Sequence, residues 1–148
     1  VTKSEELANK TKQLIKDFES LENSFKTLIS NLNREPESLT AEFFLQAGVK
    51  VGTMIPLTAR CLIIMPTITP PTSKVLRSQY QDIFNVLTTL AQTTFPQLVN
   101  LTTTFYTAPE LATRAAAFTN ILALLPGIVL DYGKLKFELM KIKRNMRL

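Results

Sequence analysis

The chain has 148 residues, with 17 Lys+Arg against 12 Asp+Glu, a net charge of +5, 45% hydrophobic residues, four Gly and eight Pro. That fits one compact domain over residues 1–148 and excludes collagen-like and disordered chains. There is no His, no Trp and one Cys, so the commonest general base and metal ligand is missing and no zinc, iron–sulfur or C-x-x-C pattern exists.

The chain opens on Val1, and residues 1–30 lack the basic-then-apolar layout of a signal peptide. The chain is read as either a processed mature chain or a trimmed one; its compartment stays open, with a secreted or extracellular location slightly favoured. Residues 3–33 carry Leu7, Thr11, Leu14, Phe18, Leu21, Phe25, Leu28 and Leu32 at alternating four- and three-residue steps, the seam of one long helix. Thr2 with Glu5 makes a capping-box signature at its start, and Asn33 to Glu37, with Pro36, ends it. At 1.5 Å per residue this helix is roughly 45 Å long, which suits a bundle.

A second helix is predicted from Ser38 or Thr40 to about Met65, stopped by the loop Pro66 to Thr72. Between Phe43 and Met65 the interruptions are Gln46, Lys50, Thr53, Thr58 and Arg60, so the helix is central or meets lipid. Pro56 should kink it, because its ring removes one backbone bond and crowds the preceding turn. Gly48 and Gly52 form a G-x-x-x-G pair that permits close backbone approach. A constitutive membrane span is disfavoured, since Lys50 and Arg60 would each cost about 2.5–3.5 kcal/mol near the bilayer centre. Cys61, in an apolar run, reads as a buried inert thiol.

The four-three pattern resumes with Leu76, Tyr80, Ile83, Leu87 and Leu90, giving a third helix over about 73–93, then Leu98, Leu101 and Phe105. Thr94-Phe-Pro-Gln97 and Thr107-Ala-Pro-Glu110 repeat one start signal, a Thr cap with Pro in the first turn and Gln or Glu at the third position. The chain is therefore broken at both places. The last stretch aligns Leu111, Ala115, Phe118, Leu122, Leu125, Val129, Tyr132, Leu135, Leu139, Ile142 and Met146, with Pro126-Gly127 kinking one helix or separating two. The resulting expectation is an all-α antiparallel bundle of five to six helices, with a long first helix and proline-kinked later ones.

Charge is uneven. Residues 43–133 carry five basic and three acidic groups, among polar positions that are mostly Thr, Gln, Asn and Ser, while residues 134–148 carry six basic and one acidic. A surface so poor in charge favours a partner, a ligand or a membrane. At the basic end, Phe137 and Met140 point away from the Leu135, Leu139, Ile142 face and stand among Lys134, Lys141 and Arg144. That set suits an anionic membrane or an acidic protein. No nucleic-acid motif accompanies it, so nucleic acid is disfavoured.

For chemistry, Lys50 between Val49 and Val51 reads as snorkelling along Gln46 and Thr53, and Glu19 with Glu22 reads as a solvated face paired with Lys16 and Lys26. Asn9 and Asn100 match the glycosylation pattern at a rate composition alone explains. The sequence thus predicts a non-enzymatic binding protein, without cofactor or metal, for a hydrophobic small molecule, a lipid such as a fatty acid, or a membrane surface. Phe44, Val51, Ile55, Leu62, Phe84, Phe118 and Leu122 are the predicted ligand liners, in a gap between bowed helices. The alternative is a homo-oligomeric or partner-bound assembly subunit acting through neutral Thr-rich faces.

Overall fold

The computed structural model describes residues 2–68 and 73–148. Thr2 Oγ1 accepts the Glu5 N–H at 3.1 Å and starts α1 (Lys3–Asn31), satisfying one of the donors a helix start leaves free. Its buried positions are Leu7, Thr11, Leu14, Phe18, Leu21, Phe25 and Leu28, the predicted seam. A 3₁₀ turn at Pro36–Ser38 follows. Thr40 Oγ1 then accepts the Phe43 N–H at 3.1 Å and opens α2 (Ala41–Ile64). This helix runs through Pro56 and passes into a 3₁₀ turn at Met65–Thr67. The expected loop to Thr72 is described as far as Ile68; residues 69–72 lie outside the described residues.

The expected break at Thr94 is not one. Helix α3 (Ser73–Thr89) passes through a π turn, Leu90–Thr94, directly into α4 (Phe95–Thr107), and Thr94 keeps helical dihedrals of −67° and −54° with no side-chain cap. The wide turn is marked by the Phe95 N–H bonding to the Leu90 carbonyl, five residues back. Pro96 explains it physically, since a proline ring inside a helix collides with a carbonyl one turn earlier and a widened turn relieves the crowding. The second break is real: Ala108 and Glu110 are extended. Its cap differs from expectation, because Glu110 holds the cap position without a side-chain bond, while the Thr107 hydroxyl donates back to the Thr103 carbonyl. The predicted alternatives at Pro126-Gly127 resolve to one helix, α5 (Leu111–Met146).

The described residues therefore form four helical rods rather than five or six, with no strand among them: α1, α2, the joined α3–α4, and α5. They alternate in direction. At one end, Arg60 of α2 meets Glu6 of α1, and Tyr80 of α3 meets Thr11 of α1 and Met146 of α5. At the opposite end, the Tyr106 hydroxyl donates to the Leu39 carbonyl at 2.6 Å, and the Phe105 and Phe118 rings stack with centroids 5.1 Å apart. The core runs the length of the bundle through Leu14, Phe44, Met54, Ile83, Leu90, Leu98 and Ile128. Thr11, Thr58 and Thr102 are buried among these residues because each hydroxyl donates to the carbonyl four residues back, at 2.7–2.9 Å, which satisfies a polar group where no water reaches. Gly48 lies on the side of α2 that faces α4, where a Cβ would make ordinary contact with Phe95 Cβ at 3.9 Å, and Gly52 faces open space, so neither glycine of the predicted G-x-x-x-G pair is required for close helix approach.

Candidate functional site

Two seams run along α5. The inner one, with Ala117, Ile121, Leu125, Ile128, Tyr132, Leu135, Leu139 and Ile142, is buried in the core. The outer one has the same alternating steps: Ala112, Ala116, Thr119, Ala123, Pro126, Leu130, Gly133, Phe137 and Met140, all exposed and all uncharged. Leu130 is 75% exposed, Phe137 61% and Met140 60%. Leu111, Leu122 and Val129 add to the same exposed surface, and no charged residue occurs between Arg114 and Asp131. A helix apolar on both faces is uncommon on a solvated bundle. Helix α5 is also long and apolar enough to cross a membrane, as is the segment Ala41–Thr67, and the most apolar 18 residues of α5 are only 28% buried.

The C-terminal third of this face is cationic. Lys141 Nζ lies 4.3 Å from the Phe137 ring centre and 3.1 Å from Glu138 Oε1. The nearly buried Glu138 carboxylate and the aromatic face hold one ammonium between them. Lys134, Lys143 and Arg144 are exposed, and Lys143 and Arg144 lie in the last turn, where cations complement the helix C-terminus. Arg147 adopts the left-handed conformation with φ 56°, and its N–H and that of Leu148 close the helix onto the Arg144 and Lys143 carbonyls. Burial raises the Asp131 carboxyl above its usual range, with Lys134 pulling it partly back.

Of the predicted surface set, Lys134, Phe137, Met140 and Arg144 are exposed, whereas Lys141 is half-buried beside Glu138 and faces α3. The predicted ligand liners are dispersed. Phe44 and Val51 are sealed in the core, while Ile55, Leu62, Phe84 and Phe118 are half-buried. Leu122 is 41% exposed on the outside of α5. Phe44 borders a groove between α2 and α4 with Gly48, Phe95 and Val99; Phe118 stacks on Phe105 at one end. Sequence reasoning missed the furrow between α1 and α5, floored by Phe18, Phe25 and Tyr132. Its signal lay in Glu22, which pairs with Lys26 at 3.6 Å as well as with Lys136 of α5 at 3.7 Å.

Lys50 reaches along the surface to donate to Ser20 Oγ at 2.9 Å, as its snorkelling reading requires. Among the described residues no group of three acidic or cysteine side chains could hold a metal ion. Burial pushes the Cys61 thiol up to about 11, which keeps it protonated and unreactive near neutrality. Compared with protein-family models, with curated proteins and with solved structures, the chain matches none.

Proposed function

We propose that this protein is a non-enzymatic binding protein that seats the outer face of α5 on an anionic lipid surface. The observation that carries the reading is the second seam of α5, nine exposed uncharged positions in a row ending among cations. An amphipathic helix lying in the interface needs apolar side chains to enter the acyl boundary and basic ones to meet the head groups. Burying Phe137 would contribute about 1.5–3 kcal/mol, and each cation near an anionic surface about 1 kcal/mol. Binding on that basis is measurable and salt-sensitive.

Cosedimentation with anionic and with neutral vesicles tests it, comparing wild type with Leu130→Asp and with a Lys141→Glu, Arg144→Glu double variant. Wild type should bind anionic vesicles at low salt, and both variants should lose most of that binding. Equal binding by all three proteins, or none by wild type, overturns the reading.

A second reading, an assembly subunit, draws on the threonine-rich side of α4. Thr103, Thr104 and Thr107 each donate to a carbonyl of their own helix, so this neutral face turns its hydroxyls inward. Sedimentation velocity across a concentration series separates the two, because assembly through α4 produces dimers or larger species without lipid.

A further inference from the structure

We propose that the furrow between α1 and α5 binds a single acyl chain carrying an anionic head, with the chain on the aromatic floor and the head beside Lys143. This deepens the lipid-binding reading above and rests on it for the source of the ligand. Two concavities of about 410 and 360 Å³ lie end to end along the α1–α5 boundary and share Glu22 as a wall. Tyr132 forms the middle of the floor, set edge-on to Phe18 and Phe25 at centroid distances of 6.2 and 5.1 Å. Along α1 the furrow runs from Ile15 to Ile29, about 21 Å at the helical rise. That is the reach of a long alkyl chain.

Lys136 crosses from α5 to Glu22 at 3.7 Å and straps the furrow midway. A partner helix, about 10–12 Å across with its side chains, is too wide to enter beside that ion pair without breaking it, whereas a single alkyl chain is far narrower. At one end Lys143 has no carboxylate within ion-pair distance among the described residues, leaving its ammonium for an anionic head, although Glu19 stands across the same concavity. At the other end Gly133 keeps the channel open: a Cβ built there meets nothing within 4 Å. Met140 and Val129 belong to the furrow and are 60% and 54% exposed, so the channel is continuous with the face proposed to meet lipid.

The test is titration with cis-parinaric acid, a fluorescent long-chain carboxylate, below its micellar concentration and without vesicles. Wild type should bind it saturably at one site. Gly133→Phe plugs the open half without a backbone clash and should weaken binding about tenfold with helicity retained and the melting temperature not lowered. Lys143→Glu should weaken the carboxylate about threefold while leaving displacement by a long-chain alcohol unchanged. No saturable binding by wild type, wild-type binding by folded Gly133→Phe, or equal loss of carboxylate and alcohol in Lys143→Glu overturns the proposal. Wild type keeps the two readings apart: vesicle binding without parinaric binding overturns the furrow alone, and parinaric binding without vesicle binding overturns the surface reading alone, while Leu130→Asp should lose vesicle binding and keep parinaric binding.

Discussion

The Tyr80 hydroxyl lies 2.6 Å from Thr11 Oγ1 inside the bundle, joining α3 to α1 across the core. Thr11 gives its own proton to the Leu7 carbonyl at 2.8 Å, so Tyr80 is the donor of the pair, with Met146 Sδ at 3.3 Å from the same hydroxyl. Tyr80→Phe should cost about 0.5–1.5 kcal/mol, the net worth of one hydrogen bond. Thr11→Val should cost about 1–3 kcal/mol, because it strips the buried Tyr80 hydroxyl of its oxygen acceptor. The double variant should lose less than the two single losses added together. Urea melts of the four proteins check this, and strict additivity would mean that the pair is not coupled.

Cys61 sits beside that pair and gives the bundle an alkaline weakness. Burial raises its thiol from 9.0 to about 11, against the lowering influence of the neighbouring Thr11 hydroxyl. An unfolded chain releases this proton above about pH 9, whereas the folded chain keeps it until about 11. The stabilisation is therefore full below pH 9 and disappears as pH rises to 11, at about 1.4 kcal/mol per unit. Burial also raises Tyr80 and Tyr132, which act in the same direction. Cys61→Ala should show a shallower loss between pH 9 and 10.5 in parallel urea melts, the difference from wild type isolating the thiol.

Phe18 is 3% exposed and meets Tyr132 edge-on in the α1 seam. Phe18→Ala should cost about 3–5 kcal/mol, as for other buried aromatic truncations. A loss below about 1 kcal/mol in a urea melt would place Phe18 outside the cooperative core.

Periodicity made α1 legible residue by residue, because one face of a long helix packs against neighbours throughout. It also held a signal that went unread. The seam Tyr80, Ile83, Leu87, Leu90 resumes at Phe95, Leu98, Thr102 and Phe105, so one step is five residues long, the phase slip that a π turn inserts. The Thr-Pro signature suggested a cap there, and the continuous seam on both sides overrode it. The Phe137–Met140 surface was legible because both residues fall off the inner seam. The furrow was not, since it depends on how far α5 stands from α1, a distance set by packing around Tyr132 and Gly133 that no local pattern encodes.

The open space at Gly133 yields a last prediction, about stability. Gly127 and Gly133 are exposed positions inside α5; neither has positive φ, and a Cβ at either meets nothing within 4 Å. A helix-interior glycine gives up more backbone freedom on folding than alanine, by roughly 0.5–1 kcal/mol. With no contact to strain, Gly127→Ala and Gly133→Ala should each stabilise the bundle by about that amount, through the unfolded state. Gly127 follows Pro126 directly, so the two sites differ in one respect. If the helix around the proline needs glycine's freedom, Gly127→Ala will gain less than Gly133→Ala. Chemical denaturation of both variants decides it: equal gains mean that Pro126 is accommodated without help from Gly127, and a loss at Gly133 would mean that its surroundings are more crowded than the furrow described above.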